Sequence, residues 1–504
     1  MARPLVIVGG GHNGLVAAAM LARAGRRVVL LERRDQLGGA AVSERPFRGR
    51  DARLSRYAYL VSLFPRALAR ELGIPLRLVD RSVAAFAPYA GGALLVEQDA
   101  ASDATRRSFH ERTGSDAEHD AFLALSTELA LAAGPLSETF LSPLPTRTEA
   151  RALLGDAWGL LAERPLGDTL DERFADELVS GMVSTDGLIG TLADVHDPGL
   201  RQNRCFLYHV VGNGDGRWRV PVGGMGAVTL ALIRAAQTAG AELHVGAEVV
   251  SIDGVEVTWR EDGEEHAVSA DGVLGNCAPA VLARLRGQPV AVPDGPGPGA
   301  QLKLNLLLDR LPRLRSGHDP AVAFAGTFRL NETSSELAAA YACAARGELP
   351  DRVPAELYCH TLADASIVNT SPPTQTLTVF ALHITPAMFA ADEAAARDIL
   401  VERLLDQLDE HLAEPIRDCI ARDADGAPCL EARTPLDLER ELALPGGNIF
   451  HGDLDWPWRD DDDPDVWGVA TDHPRIWRAG AGARRGGGVS GIGGHNAALA
   501  VLGR

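Results

Sequence analysis

Near the start of the chain, Gly9, Gly11 and Gly14 stand in the spacing G-x-G-x-x-G, with His12 and Asn13 inside it. Those types at that spacing suit the cradle of a dinucleotide pyrophosphate. One glycine makes a tight turn, one lets the backbone approach the phosphates, and one lets a helix pack on a strand. Glu32, eighteen residues beyond Gly14, is placed to accept hydrogen bonds from a ribose. It would repel the 2′-phosphate of NADP, a point that Arg33 beside it blurs. Gly38, Gly39 and Ala40 extend the theme, since backbone there can run close to a flat or phosphorylated ligand. FAD and NAD fit this unit equally, because each puts an adenosine ribose on such an acid.

The elements that must hold these groups are legible around them. Residues 5–8 read as a buried strand, 15–23 as an Ala/Leu helix closed by Gly25, and 28–31 as a second buried strand. A lone glycine pattern is weak, but strand, helix, strand and terminal acid in order make it strong. The alternative is a glycine loop that binds nothing. Five arginines at 45, 48, 50, 53 and 56 either neutralise phosphates, meet an acidic substrate, or belong to a solvated loop. Helical patterns at 65–72, 117–133, 148–163 and 171–183 predict a cap, and 227–239 a further helix. Strands are expected at 241–245, 248–252, 255–260 and 272–275. Others, at 302–308, 321–328, 355–360 and 376–384, would build a mixed or antiparallel sheet forming one wall of a pocket. Residues 393–412 form the clearest amphipathic helix. The tail is glycine-rich again, with Gly480, Gly482, Gly486, Gly487, Gly488, Val489, Ser490 and Gly491 between an apolar strand and an Ala/Leu helix. Helix N-termini suit a second anionic or electron-rich part of one ligand, as a flavin would supply. The alternative there is a flexible tail.

The net charge of −19 argues against nucleic acid or an anionic membrane as a general partner. The most apolar long stretch, 121–136, is broken by Glu128 and Gly134-Pro135, so no membrane-spanning helix is expected, and peripheral membrane contact stays open. Nothing at the start reads as a signal peptide. The six cysteines form no C-x-x-C, which fits free thiols in the cytoplasm and speaks against a dithiol flavoenzyme. No zinc spacing and no nucleophile elbow occur, so no metal site and no hydrolase are expected.

Three blocks together resemble the phytoene desaturase (phytoene dehydrogenase-like) group of FAD-dependent oxidoreductases, within the fold shared by amine oxidases and GDP-dissociation inhibitors. They are residues 8–18 with Glu32 and Gly38-Gly39, residues 221–226 (Pro-Val-Gly-Gly-Met-Gly), and residues 480–491. Residues 447–452 look like the subgroup related to a mitochondrial pyridine nucleotide-disulfide oxidoreductase-domain protein. The resemblance implies FAD, with Gly9, Gly11 and Gly14 on its pyrophosphate, Glu32 on its ribose, and Gly39 and Ala40 against its phosphate or ribityl chain. Val249 would contact adenine through its backbone. Gly482, Gly488, Val489 and Ser490 would flank the isoalloxazine. Arg484-Arg485 depart from the group's pattern, which commonly has a small or polar residue and proline there.

The fold expected is α/β: a discontinuous Rossmann-like FAD domain (residues 1–75, 216–295 and 431–504), a helical cap (76–215) and a mixed-sheet substrate domain (296–430). The activity implied is removal of a hydride from a small, apolar or polyene-like substrate to give C=C or C=N, with electrons passed to O2 or another acceptor. Tyr57, Tyr59, His209, His360 and His383 are the candidates for groups facing the substrate. An amine or natural-product oxidase is the alternative enzyme, and a prenyl-protein binding module without redox work is the alternative class. The oligomeric state is left open.

Overall fold

A computed structural model describes residues 2–290, 299–371 and 373–504; the domain boundary drawn at 295/296 lies outside them. Leu5–Val8 is apolar on both faces because it sits at the centre of a five-stranded parallel sheet. The strand order is Ile476–Arg478, Gly272–Gly275, Leu5–Val8, Val28–Glu32, Glu242–Val245. Strands from the start, middle and end of the chain thus make one Rossmann-like sheet. The Ala-rich helix His12–Arg23 packs on it beside Ile492–Leu502, and small residues such as Ala17, Ala18, Ala497 and Ala498 let the two approach closely. Glu248–Asp253, Glu256–Glu261 and Glu264–Ser269 form a separate antiparallel ribbon.

A second, seven-stranded sheet runs Leu430–Arg433, Gln301–Leu308, Gln375–Leu382, Ala355–Tyr358, Thr327–Leu330, Val83–Tyr89, Gly92–Glu97. It is antiparallel except between Thr327–Leu330 and Val83–Tyr89, so it is mixed. Helices between residues 103 and 211 close over it around Phe109, Trp158, Phe174 and Phe206. Among the described residues no helix is long and apolar enough to cross a membrane.

Local expectations fail in four places. Residues 83–97 lie in the stretch read as helical, yet they form a hairpin at the sheet edge. The helix expected over 148–163 ends at Gly155, whose φ of 53° breaks it, and only a π-helical turn, Gly159–Glu163, follows. The one expected over 171–183 is two, because Asp176 accepts from the backbone of Leu178 and Val179 and starts a new helix, Glu177–Ser184. Finally, 321–328 begins as the short helix Pro320–Ala323, capped by Asp319, before the strand Thr327–Leu330.

Candidate functional site

An elongated cavity of about 1020 Å³ runs from the first glycine loop to the mixed sheet. At one end are Gly9, Gly11, His12, Asn13, Glu32, Arg33, Gly39, Ala40 and Val249. Glu32 is fixed by two backbone donors, Gly10 N–H to Oε2 (2.7 Å) and Arg34 N–H to Oε1 (2.9 Å). Gly10 O accepts from Gly38 N–H at 2.9 Å, so the second glycine pair is tied to the first loop. Gly14 lies just behind the cradle, where a Cβ would sit 2.5 Å from Gly9 O and 2.7 Å from Asn276 Nδ2. Gly14→Ala is therefore expected to weaken adenine-dinucleotide binding roughly 10- to 100-fold, the effect of about 1–3 kcal/mol of overpacking. A titration with ADP checks this; unchanged affinity would contradict the cradle.

Farther along, the tail reaches the same cavity through Ala481, Gly487, Gly488 and Val489. His12 Nε2 stands 3.1 Å from Gly488 O, joining loops 476 positions apart. Gly482 and Ser490 do not line the space. A Cβ on Gly482 would meet Pro279, and Ser490 Oγ accepts from Ile492 N–H at the start of the last helix. Gly38 is likewise set back, against Val42 and Thr229. Residues 221–226 do not reach the cavity either: their helix N-terminus is spent on Ser55 and Ser43, which accept from Met225 and Gly226 N–H.

The five arginines at 45–56 are all engaged elsewhere, on Asp51, Asp425, Arg422 O, Ser366 O, and Glu44 with Glu431, and none lines the cavity. Arg45 and Arg48 are exposed, as the solvated-loop reading expects, whereas Arg50 and Arg53 are partly covered and Arg56 is half-buried in an ion-pair network. Arg485, fully buried, and Arg484 also face away from the cavity. All six cysteines are free, Cys277 and Cys343 only partly covered.

Tyr57, Tyr59 and His209 line the cavity; His360 and His383 do not. His360 is buried behind it, stacked on Tyr358, and His383 packs against Tyr341. Burial lowers His12 and His451 to about 4, His360 to about 3 and His383 to about 4. Each stays neutral when folded and gains a proton more readily when unfolded. Their contribution is complete above pH 6.5 and is lost as pH falls toward 4, at about 1.4 kcal/mol per pH unit per ring. His209, raised to about 9, and Glu332, raised to about 8, act in the opposite sense over this range, so the melting temperature is expected to fall by only a few degrees from about pH 7.5 to about pH 5. A flat profile over that range would mean that the rings are hydrated.

The wall opposite the tail is one face of the mixed sheet, and here lie the residues that motif reading missed. Lys303 pairs in register with Phe380, Phe380 with Glu356, and Glu356 with Arg329, a row of side chains across four strands. All four line the cavity, with Tyr358 and Gln301. Lys303 is buried, and its Nζ donates to the carbonyls of Ser55 and Tyr57, 2.6 Å from each, while lying 4.8 Å from the Tyr59 ring centre. Burial pulls its pKa well below 10.5. Two signals could have found it. Gln301, Lys303 and Asn305 alternate with leucines, marking one face of a strand, and Lys303 is the only lysine in the sequence. Asn276, also missed, donates from Nδ2 to Gly9 O at 2.9 Å and braces the glycine loop.

Fold and site together define a Rossmann-like dinucleotide-binding α/β protein with a mixed-sheet second lobe; residues 7–69 match the family model of an NAD(P)-binding Rossmann-like domain. The chain belongs to the same family as an uncharacterised protein of Mycobacterium tuberculosis, to which it is 48% identical over 99% of its own length and 96% of the relative's. It is also similar to pyridine nucleotide-disulfide oxidoreductase domain-containing protein 2 of Mus musculus, 29% identical over 99% of this chain and 93% of that one. A variant of putrescine oxidase shares the fold, with a TM-score of 0.58 and 17% identity over 100% of this chain and 99% of that one.

Proposed function

We propose that the protein is an FAD-dependent oxidoreductase that takes a hydride from a small, largely apolar substrate. One observation carries this: a single cavity runs from Gly9, Gly11 and Glu32 to Gly488 and Val489, with room beyond it against the mixed sheet. The chain fits a flavin dinucleotide. Asn13 Oδ1 is buried without a partner, and a Cβ on Gly39 would press on Gly11 Cα at 3.2 Å, in a cradle only bare backbone leaves open. The likeness to an oxidoreductase-domain protein and to the putrescine oxidase fold supports the same reading.

When bound, the flavin would supply the hydride acceptor and pass electrons to O2 or another acceptor. The chain's own part is binding and placement. Gly11 and the start of the His12–Arg23 helix offer backbone N–H groups to phosphates, while Gly9 N–H is spent on Leu31 O in the sheet. Glu32 would hold the ribose, Gly488 and Val489 would border the ring end, and Lys303 with Tyr59 would flank the reacting space. Phe122, Leu125, Leu129, Met182 and Phe206 exclude water from the cap side. The product would be C=C or C=N.

Anaerobic titration of the FAD-loaded protein with polyenes, amines and apolar carboxylic acids tests this. Bleaching of the flavin by a member of the panel is expected; a flavin that dithionite reduces but no organic substrate does would count against the redox role.

A further inference from the structure

We propose that the substrate end of this cavity takes an apolar molecule bearing a carboxylate, and that the Arg81 guanidinium anchors it. The inference deepens, and rests on, the flavin-site reading above.

Three arginines line that end, Arg81, Arg217 and Arg329. Arg329 is consumed by carboxylates: Glu332 at 2.9 Å, Glu356 at 3.2 Å and Asp186 at 3.3 Å. Arg217 has Asp80 at 3.9 Å. Arg81 has no carboxylate at ion-pair distance among the described residues. Its Nε donates to Trp218 O (3.1 Å) and its Nη1 to Thr327 Oγ1 (2.8 Å), and the guanidinium carbon lies 5.6 Å from the Tyr358 ring centre. Nη2 meets no acceptor among the described residues. Two bonds to neutral oxygens therefore fix the fork in place and leave one edge for a ligand.

Arg81 is only partly exposed, and a cation that gives up water without gaining a counter-anion is costly to keep; burial lowers its pKa. A carboxylate repays that cost, because guanidinium and carboxylate match in plane and in charge. Trp218 and His209, stacked 4.7 Å apart, border the same region, and Phe122, Leu125, Leu129, Met182 and Val183 continue the wall in apolar groups. Charge at one end and hydrocarbon along the rest describe an apolar acid. A neutral hydrocarbon would leave Arg81 unpaired. An ammonium would face Arg81 as a like charge, and the acids near it, Glu356 and Asp186, already serve Arg329.

The full chain, loaded with FAD, is titrated calorimetrically with straight-chain carboxylates from butyrate to palmitate, with their methyl esters, and with the matching amines. At least one carboxylate should bind roughly tenfold or more tighter than its ester. Arg81→Met should erase that preference and Arg81→Lys retain part of it, with flavin absorbance kept in both. Amines binding tighter than acids, no acid preferred over its ester, or a preference surviving in Arg81→Met would each overturn the proposal. The wild-type comparison decides alone if the variants fail to fold. A colourless protein that holds the acid through Arg81 would overturn only the flavin reading. A yellow protein indifferent to the acid would overturn only this one.

Discussion

Lys303→Arg is expected to lower turnover by about a hundredfold, the scale of losing a placed proton-handling group, while leaving FAD bound. Of 49 basic residues, this is the one position that is not arginine. Elsewhere the chain tolerates or prefers the permanently charged fork; here it keeps an amine whose pKa burial has pulled down. The pocket explains the exception. Nζ fits between the Ser55 and Tyr57 carbonyls and below the Tyr59 ring, with Phe380 beside it in register. A guanidinium is larger, planar and does not give up its proton, so it would both overfill the space and fix a charge there. Lys303→Met should lose as much turnover and some stability as well, because two buried carbonyls lose their donor, at about 1–3 kcal/mol each. Rapid-reaction flavin reduction by whichever compound bleaches the wild type reads the first effect, and thermal unfolding the second. Turnover of Lys303→Arg within a factor of about two would show that the lysine is a matter of packing.

Arg485→Met is expected to destabilise the protein by about 3–5 kcal/mol, the cost of several buried acceptors left without a donor at about 1–3 kcal/mol each, and to release the tail loop from the cavity. The residue is 1% exposed, and no carboxylate lies at ion-pair distance among the described residues. It is held by carbonyls instead: Nε donates to Pro457 O at 3.0 Å, and Nη1 to Thr139 O at 2.6 Å and Ser142 O at 3.0 Å. Nη2 donates to Thr139 Oγ1 at 3.0 Å, and the guanidinium lies over the Phe140 ring. One residue thus pins the glycine loop, the 455–458 segment and the end of the Ala117–Glu138 helix. Its own backbone is held at φ 60°, where a non-glycine residue is strained, so the loop relaxes readily once the pin is gone. Methionine fills the volume but strands four acceptors. Chemical denaturation with flavin release as the second signal measures both effects. A variant with native midpoint and native flavin retention would refute the pin.

What could be read ahead of the structure, and what could not, follows from how local each signal is. The glycine cradle and Glu32 need only thirty consecutive residues, and the tail glycines lie between a strand and a helix of their own, so spacing carries them. The departure at Arg484-Arg485 was legible as a departure, but its meaning was not. The partners of Arg485 come from residues 139, 142 and 457. The mixed-sheet wall of the cavity was illegible for the same reason: Lys303, Glu356 and Arg329 become neighbours only through strand pairing. The histidine candidates are all buried and divide on where they sit relative to the cavity. His209 reaches the cavity from the Arg201–Val211 helix, whereas His360 and His383 are buried behind it, and residue type alone does not separate these cases.

The central claim is that strands and loops from three distant parts of the chain surround one flavin dinucleotide. Its most direct test is the absorbance of the purified protein, followed by chromatography of the cofactor released on heating. A band near about 450 nm and release of FAD, about one per chain, are predicted. A colourless protein that takes up no added FAD, or one that holds only a nicotinamide dinucleotide, would contradict it.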